Sequence, residues 1–365
     1  MKKLFIIFLI GFIFLSCKGF KPKSSPDESS PFGFTPFNMS LNQQEEGTYF
    51  LLPKDSMTVS LNTYENGQII EQKIFYVTNK SIFGTNQKDI IAIIDTDDNA
   101  IVIYNIHTTK EIKLSIPFDI TPKTILINDQ NIFIGGMMGE AMLVQYHLIN
   151  EQWFKFEVPE GIPYIRKAID DLVINDNYLI AVDNLIIPKY ILFYHLNSTG
   201  KLDYSHYREI KNNGTYEQIY QARISFKYLG IFSASFGRSG LYEHISIYND
   251  LDLRNSFAIS FRIDRTDDYW SNNYLTINDF IIVGDKLYIA HRINGLGILE
   301  IKESYFGVRR NEYDIFNREI EADNINYKQY VNEEVLRLAL IPNENKMILM
   351  IRNSQGNIRH EIMEL

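Results

Sequence analysis

The sequence is poor in cysteine and alanine and lacks several common motifs, and these shortages exclude whole classes of protein. Its one cysteine among 365 residues, Cys17, has no partner for an intrachain disulfide and no second thiolate for a metal site. Alanine is scarce and no long stretch repeats at helical spacing, so a helical domain is not expected. The phosphate-binding, dinucleotide-binding and zinc-protease motifs are also missing. We therefore predict no cofactor and no metal.

Aromatic and acidic residues are what the chain has in quantity. It contains 23 tyrosines and 24 phenylalanines, and isoleucine is abundant. Aromatic and β-branched side chains fit the pleated, half-buried surface of a sheet, so strand is the default expectation along the chain. The formal net charge of −9 gives no general attraction for nucleic acid. The composition predicts an all-β protein without a nucleic-acid partner.

The first 17 residues have the form of a bacterial export signal. Two lysines precede an apolar run over residues 4–15, which is too short for a spanning helix of roughly 20 residues. The run ends in Phe14, Leu15, Ser16 and Cys17. This ending resembles the lipobox of bacterial lipoproteins, with Phe14 in place of the usual leucine. The resemblance implies cleavage after Ser16 and lipidation of Cys17, and the alternative is an uncleaved membrane anchor.

The segment after Cys17 predicts a tether and a location. Residues 17–47 are dominated by proline, serine, glycine and charged residues, a composition typical of flexible linkers. Lys18 stands where an aspartate retains some lipoproteins at the inner membrane, which favours the outer membrane. We expect a signal peptide over 1–16, a lipidated tether over 17–47 and one folded domain over 48–365. The periplasmic and surface sides of the membrane both stay open.

The folded part consists of imperfect repeats of one hairpin. Two apolar runs flank an Asn-Asp turn at residues 125–134 and again at 172–182, and such turns suit β-hairpins. A third run follows each hairpin and carries a tyrosine, at spacings of 42, 48 and 54 residues. The four tyrosines of this series are Tyr104, Tyr146, Tyr194 and Tyr248.

A four-stranded unit that repeats every 40 to 60 residues is typical of a β-propeller blade. The third strands number seven when weaker copies near Thr58, Gly297 and the C-terminus are counted. Seven blades require residues 32–52 to complete the first blade. The alternatives are six blades with a covering N-terminal hairpin, or a β-sandwich or solenoid, which do not predict this repeat.

The clearest copy is Phe280–Ile301, which reads as strand, Gly-Asp turn, strand, glycine-containing loop and strand. About twenty of these residues resemble the LVIVD family of propeller repeats, with Leu299, Glu300 and Ile301 near the family's Val-Asp position. The resemblance implies the propeller fold and little about activity. In size and anchoring the chain is also similar to the propeller lipoproteins of outer-membrane assembly, which implies an architecture only.

Two motifs with a chemical reading have a plainer structural one. Asp95–Asn99 begins like a calcium loop, but Ala100 and Ile106 replace the glycine and the bidentate glutamate that such a loop needs. We expect an acidic turn between strands. His147 and His195 occupy equivalent repeat positions, which lie far apart around a ring, so we expect hydrogen-bonding residues at strand ends.

The loops between second and third strands, and those between blades, share one face of a propeller and are chemically rich here. Function tends to collect on loops that a rigid scaffold displays, and arginine, methionine and aromatic residues are enriched in interfaces. We therefore predict a binding site on this face. Its candidate residues are Met138, Arg166, Arg238, Trp270, His291, Arg292 and Arg352.

Two functions fit these features. The first is a monomeric, lipid-anchored propeller that binds a protein, as an assembly scaffold in the envelope or as an adhesin on a host surface, without catalysis. The second is an enzyme that acts on a glycan or small molecule in the central channel. An enzyme requires converging carboxylates, histidines or a metal at the channel, and the sequence alone shows no such cluster.

Overall fold

The computed structural model describes most of the chain beyond residue 38. The described residues are 39–40, 49–54, 58–78, 81–96, 98–137, 142–156, 168–175, 178–183, 189–197, 201–210, 216–225, 227–237, 240–249, 255–263, 275–292, 294–308, 319–341 and 343–365. Ser16, Cys17, Met138, Arg166, Arg238 and Trp270 lie outside them.

The described strands form seven antiparallel sheets in chain order. The first three sheets and an initial strand contain β1 (Met39–Ser40); β2 (Tyr49–Pro53), β3 (Thr58–Glu65) and β4 (Gln68–Tyr76); β5 (Ser81–Thr85), β6 (Ile90–Asp95), β7 (Ala100–Asn105) and β8 (Glu111–Ser115); and β9 (Thr121–Asn128), β10 (Asn131–Met137), β11 (Leu143–His147) and β12 (Gln152–Phe156). The next two contain β13 (Asp171–Ile174), β14 (Tyr178–Asp183), β15 (Lys189–Leu196) and β16 (Leu202–Ile210), and then β17 (Tyr216–Ile224), β18 (Leu229–Gly237), β19 (Gly240–Tyr248) and β20 (Asn255–Ile263).

The last part of the chain completes the ring and includes an excursion. The sixth sheet contains β21 (Ile277–Val283), β22 (Lys286–His291) and β23 (Gly295–Glu300). Before its fourth strand, the chain returns to the fifth sheet through the short strands β24 (Gly307–Val308) and β25 (Glu319–Glu321), which both pair with β20. Two 3-10 turns, Glu303–Tyr305 and Ala322–Asn324, flank them. The fourth strand of the sixth sheet is β26 (Asn326–Lys328), and the seventh sheet contains β27 (Glu333–Leu340), β28 (Lys346–Asn353) and β29 (Ile358–Glu364).

The seven sheets are the blades of a β-propeller, as the repeat spacing predicted. The three predicted strands of residues 280–301 are β21, β22 and β23, joined by a turn at Gly284 and Asp285. Asp95–Asn99 joins two strands of blade 2, as expected of a turn. Seven blades, rather than six with a covering hairpin, is the architecture observed.

Blades 1 and 7 each have three strands among the described residues, and the others have at least four. The backbone N–H of Tyr49 donates to the carbonyl of Gln87 in the first turn of blade 2, at 3.1 Å. Strand β2 therefore starts at the end of the ring where the innermost strands finish, so it runs in the direction of a second strand. Strand β1 pairs in parallel with β5, the innermost strand of blade 2.

Apolar packing between successive blades closes the ring. The buried apolar side chains of the described residues form seven clusters, and each cluster joins two neighbouring blades. The cluster between the last blade and the first contains Phe50, Leu52, Ala339, Ile341 and Ile348. Because each β-strand directs alternate side chains to opposite faces, every blade is apolar on both faces and needs a neighbour on each side.

One glycine permits the close approach of two inner strands. An added Cβ at Gly230 of β18 would lie 2.6 Å from the ring of Phe280 and 2.8 Å from Ile282, both in β21. Real Cβ atoms do not approach other atoms this closely, so blades 5 and 6 could not pack as they do with a larger residue here.

Candidate binding face

The two faces of the ring differ in the connections they carry. The turns between first and second strands lie side by side on one face, where Lys88 of blade 2 pairs with Asp129 of blade 3 at 3.5 Å and Lys227 of blade 5 with Asp285 of blade 6 at 3.0 Å. We call this the turn face. The loops between second and third strands and the connections between blades lie on the opposite face, which we call the loop face.

Two of the predicted site residues meet on the loop face between blades 6 and 7. Arg292 follows β22, Arg352 is near the end of β28, and both contact Glu334 at the start of β27. The Arg292 Nε lies 3.4 Å from Glu334 Oε1, and Arg352 donates to Oε2 from Nη2 at 2.6 Å and from Nε at 3.2 Å. The amide of Asn278 also donates to Oε1 at 3.1 Å. Glu334 therefore orients both guanidinium groups.

His291 lies directly beneath this group rather than at its surface. It is 4% exposed, and its Nδ1 accepts a hydrogen bond from the backbone N–H of Asn294 at 3.1 Å. Its ring packs against those of Phe261 and Tyr327, with centroids 5.8 and 5.7 Å away. Burial lowers the pKa of His291 to about 4, so the ring is neutral at neutral pH. It positions the loop, and any effect on binding would pass through Arg292.

Glu243, in the third strand of blade 5, was not singled out from the sequence. It is fully buried and accepts hydrogen bonds from the backbone N–H of Thr276 at 2.7 Å, from that of Ile277 at 3.3 Å and from the Thr276 hydroxyl. Burial raises its pKa to about 7. The carbonyl of Thr276 in turn accepts from the N–H of Arg292 at 2.6 Å. A chain of hydrogen bonds thus connects Glu243 to the loop of Arg292.

A signal for Glu243 was present in the sequence. Leu241, Ile245 and Ile247 alternate along the strand with polar residues, and Glu243 falls in phase with the apolar set. An acidic residue on the apolar face of a strand must be buried with hydrogen-bond partners. Alternation could therefore have marked Glu243 as a buried carboxylate, although not its partners in the next blade.

The wall of the central channel holds a second buried polar group. Asp279 of blade 6 accepts from Gln221 at 2.9 Å and Arg223 at 3.1 Å, both in blade 5, and from the N–H of Leu338 in blade 7 at 3.1 Å. Asp171 of blade 4 lies 3.9 Å from Arg223. Two carboxylates therefore converge on one guanidinium across the inner strands of four blades.

These channel residues share a local backbone irregularity. A register shift occurs in the innermost strands of blades 5, 6 and 7, directly before Gln221, Asp279 and Arg337. Gln221 and Asp279 are 58 residues apart, as are Asp279 and Arg337. Burial lowers the pKa of Arg337 to about 10. The spacing was a usable sequence signal, but it joins three different residue types and so escapes a search for identical motifs.

Metal and membrane chemistry have no support in the described residues. In that part of the chain, no group of three or more histidine, cysteine, aspartate and glutamate side chains is placed to hold a metal ion. Likewise, none of its helices has the length and apolar character needed to cross a membrane.

The topology and packing define the class of protein, a seven-bladed β-propeller, and comparisons with known proteins add no family. No protein-family model matches the sequence, and no curated protein matches it. Among solved structures, the hydrazine synthase of Kuenenia stuttgartiensis has a TM-score of 0.63 at 11% identity, over 95% of this chain and 99% of that one. Sqt1 of Saccharomyces cerevisiae has a TM-score of 0.50 at 12% identity, over 87% and 81%. The β-propeller domain of the Trilobed protease from Pyrococcus furiosus has 0.48 at 10%, over 84% and 86%. Likeness at such identities shows the fold alone.

Proposed function

We propose that this protein is a lipid-anchored propeller of the bacterial cell envelope that binds a protein partner through its loop face. The observation that carries the proposal is the meeting of Arg292 and Arg352 on Glu334 at the seam of blades 6 and 7. Arginines at a rigid, partly exposed position are typical of interface residues. The rest of the fold acts as a scaffold that displays them.

The anchor follows from the sequence ending at Cys17. Lipidation there would attach the propeller to the outer membrane through the tether of residues 17–47, since each buried CH₂ of an acyl chain contributes about 0.8 kcal/mol. Replacing Cys17 with serine is expected to move the protein from the membrane fraction to the soluble fraction and to abolish labelling with palmitate. Retention of both in C17S would contradict the lipoprotein assignment.

Photo-crosslinking from defined positions tests the binding face. A photoreactive amino acid replaces Gln355, an exposed residue in the same loop-face seam as Arg352, or Lys88, an exposed residue on the turn face. In intact cells we expect a protein adduct from position 355 and none from position 88. Equal adducts from both positions, or none from 355, would remove the support for the loop face.

Sidedness separates the two forms of the binding hypothesis. Protease treatment of whole cells is expected to leave an envelope scaffold intact and to cleave a surface adhesin. Identification of the adduct from position 355 gives the same answer independently, because a scaffold captures an envelope protein and an adhesin a host molecule.

Catalysis in the channel is the second candidate, because Asp171 and Asp279 converge on Arg223. The geometry favours a structural role for this group. Both oxygens of Asp279 accept hydrogen bonds from other blades, which occupies the lone pairs that proton transfer requires. Elemental analysis of the purified protein tests this candidate, since a stoichiometric metal would favour an enzyme and its absence would leave protein binding better supported.

A further inference from the structure

The triad of Arg292, Glu334 and Arg352 has a geometry that selects a ligand class. Arg352 stands directly opposite Glu334 in the pairing of β27 with β28, so the strand register holds the two side chains together. Arg292 is held by the hydrogen bond from its N–H to the carbonyl of Thr276. Both guanidinium groups therefore project from strand ends rather than from long loops.

The charges of the triad do not balance. Two guanidinium groups share one carboxylate, so the three side chains carry a net charge of +1. The side chains of Glu334 and Arg352 are each 17% exposed, whereas that of Arg292 is 42% exposed. The inner pair is thus a fixed base, and Arg292 presents positive charge to solvent beside it.

The rest of the molecule restricts what can approach this charge. The chain has a net charge of −9, so it repels extended polyanions such as nucleic acid or an anionic bilayer. A single carboxylate on a protein side chain carries one negative charge, matches the surplus on the triad and fits the planar fork of a guanidinium group.

We propose that the Arg292–Glu334–Arg352 triad receives a glutamate or aspartate carboxylate from an acidic segment of the protein partner. The inference rests on the proposed binding function and names the chemistry of that same site. Arg292 makes the direct contact. Glu334, Arg352 and Asn278 hold the site in shape, because the two Glu334 oxygens are already engaged by Arg352 and Asn278.

The test uses defined peptides with the full-length protein. Binding of a labelled oligoglutamate peptide, with oligoglutamine of equal length as the neutral control, is followed by fluorescence anisotropy. The variants are R292Q, which removes the charge; R292K, which keeps the charge but lacks the fork; and K88Q, which removes a lysine that is 47% exposed on the turn face.

We expect oligoglutamate to bind the wild type and K88Q equally, and to bind R292Q about tenfold more weakly, which corresponds to about 1.4 kcal/mol. R292K should fall between them, and added salt should weaken binding to the wild type because the contact is exposed. Equal binding of oligoglutamate to R292Q and the wild type, or equal binding of oligoglutamine, would overturn the proposal. Binding that depends on Arg292 to anionic phospholipid vesicles but not to the peptide would also overturn it.

The crosslink from position 355 separates this inference from the function beneath it. If the adduct forms equally in the wild type and in R292Q, and the peptide does not distinguish them, the loop face binds a partner but not through a carboxylate. If no adduct forms at all, the proposed function itself fails.

Discussion

Glu243 offers a sharp test of the buried electrostatics that support the candidate site. Its carboxyl group has an ordinary pKa of 4.5, which burial raises to about 7 in the folded protein. Between these pH values the folded chain retains a proton that the unfolded chain has released. The free energy of unfolding therefore falls as pH rises from 4.5 to 7 and is independent of this group outside that window.

The size of the effect follows from the two pKa values. One pKa unit corresponds to about 1.4 kcal/mol, so the rise from 4.5 to about 7 makes the ionised group unfavourable to the fold by about 3 kcal/mol. Substitution by glutamine removes the titration and preserves the contacts. Its oxygen can accept from the N–H groups of Thr276 and Ile277, and its amide can donate to the Thr276 hydroxyl.

The measurement compares E243Q with the wild type rather than reading one curve alone. His291 has an ordinary pKa of 6.5 that burial lowers to about 4. It therefore makes stability rise with pH across nearly the same window, which flattens the wild-type profile. The difference between the two proteins cancels this contribution, because His291 is present in both.

Denaturant titrations at a series of pH values from 4.5 to 8 give the difference directly. The stability of E243Q relative to the wild type should increase by about 3 kcal/mol between pH 4.5 and pH 7 and then stay constant. A difference that does not change with pH would show that Glu243 titrates in the folded protein as it does in water. The account of its burial against Thr276 would then be wrong.

Two further substitutions test the channel wall and the closure of the ring. Replacing Asp279 with alanine leaves buried Arg223 without its carboxylate, so we expect about 3–5 kcal/mol of destabilisation, whereas D98A at a 59% exposed ion pair should change stability by less than about 1 kcal/mol. Replacing Ile348 with alanine between blades 7 and 1 should cost about 2–5 kcal/mol, while I149A at an exposed turn should cost little. Urea denaturation measures each, and equal losses in target and control would contradict the assigned role.

The blade number could be predicted from the sequence because the third strands are regular. Their tyrosines recur with enough consistency to count units, and their apolar runs are long enough to show alternation. The fourth strand of blade 6 could not be predicted in the same way. Strand β26 has three residues and follows the excursion to blade 5, so neither its length nor its position in the chain indicated which sheet it joins.

The candidate site was predictable residue by residue but not as a group. Arg292 and Arg352 were recognisable as loop-face residues because each follows the second strand of a hairpin. Their common partner, Glu334, begins an inner strand after an irregular connection, where no repeat signal marks it. Contact between the three depends on the order of blades around the ring and on strand register, neither of which is visible in local sequence patterns.

The backbone irregularity in blade 6 links the channel wall to the loop face. Asn278 is the extra residue where the pairing of β21 with β22 shifts between Ile277 and Asp279, and such bulges redirect neighbouring side chains. Asn278 donates to Glu334 on the loop face, while Asp279 faces the channel and binds Arg223. One bulge therefore supplies both a support for the arginine triad and a buried connection between blades 5 and 7. The rigidity of the candidate site thus derives from the same three inner strands that line the channel, and a regular strand at this position could not serve both.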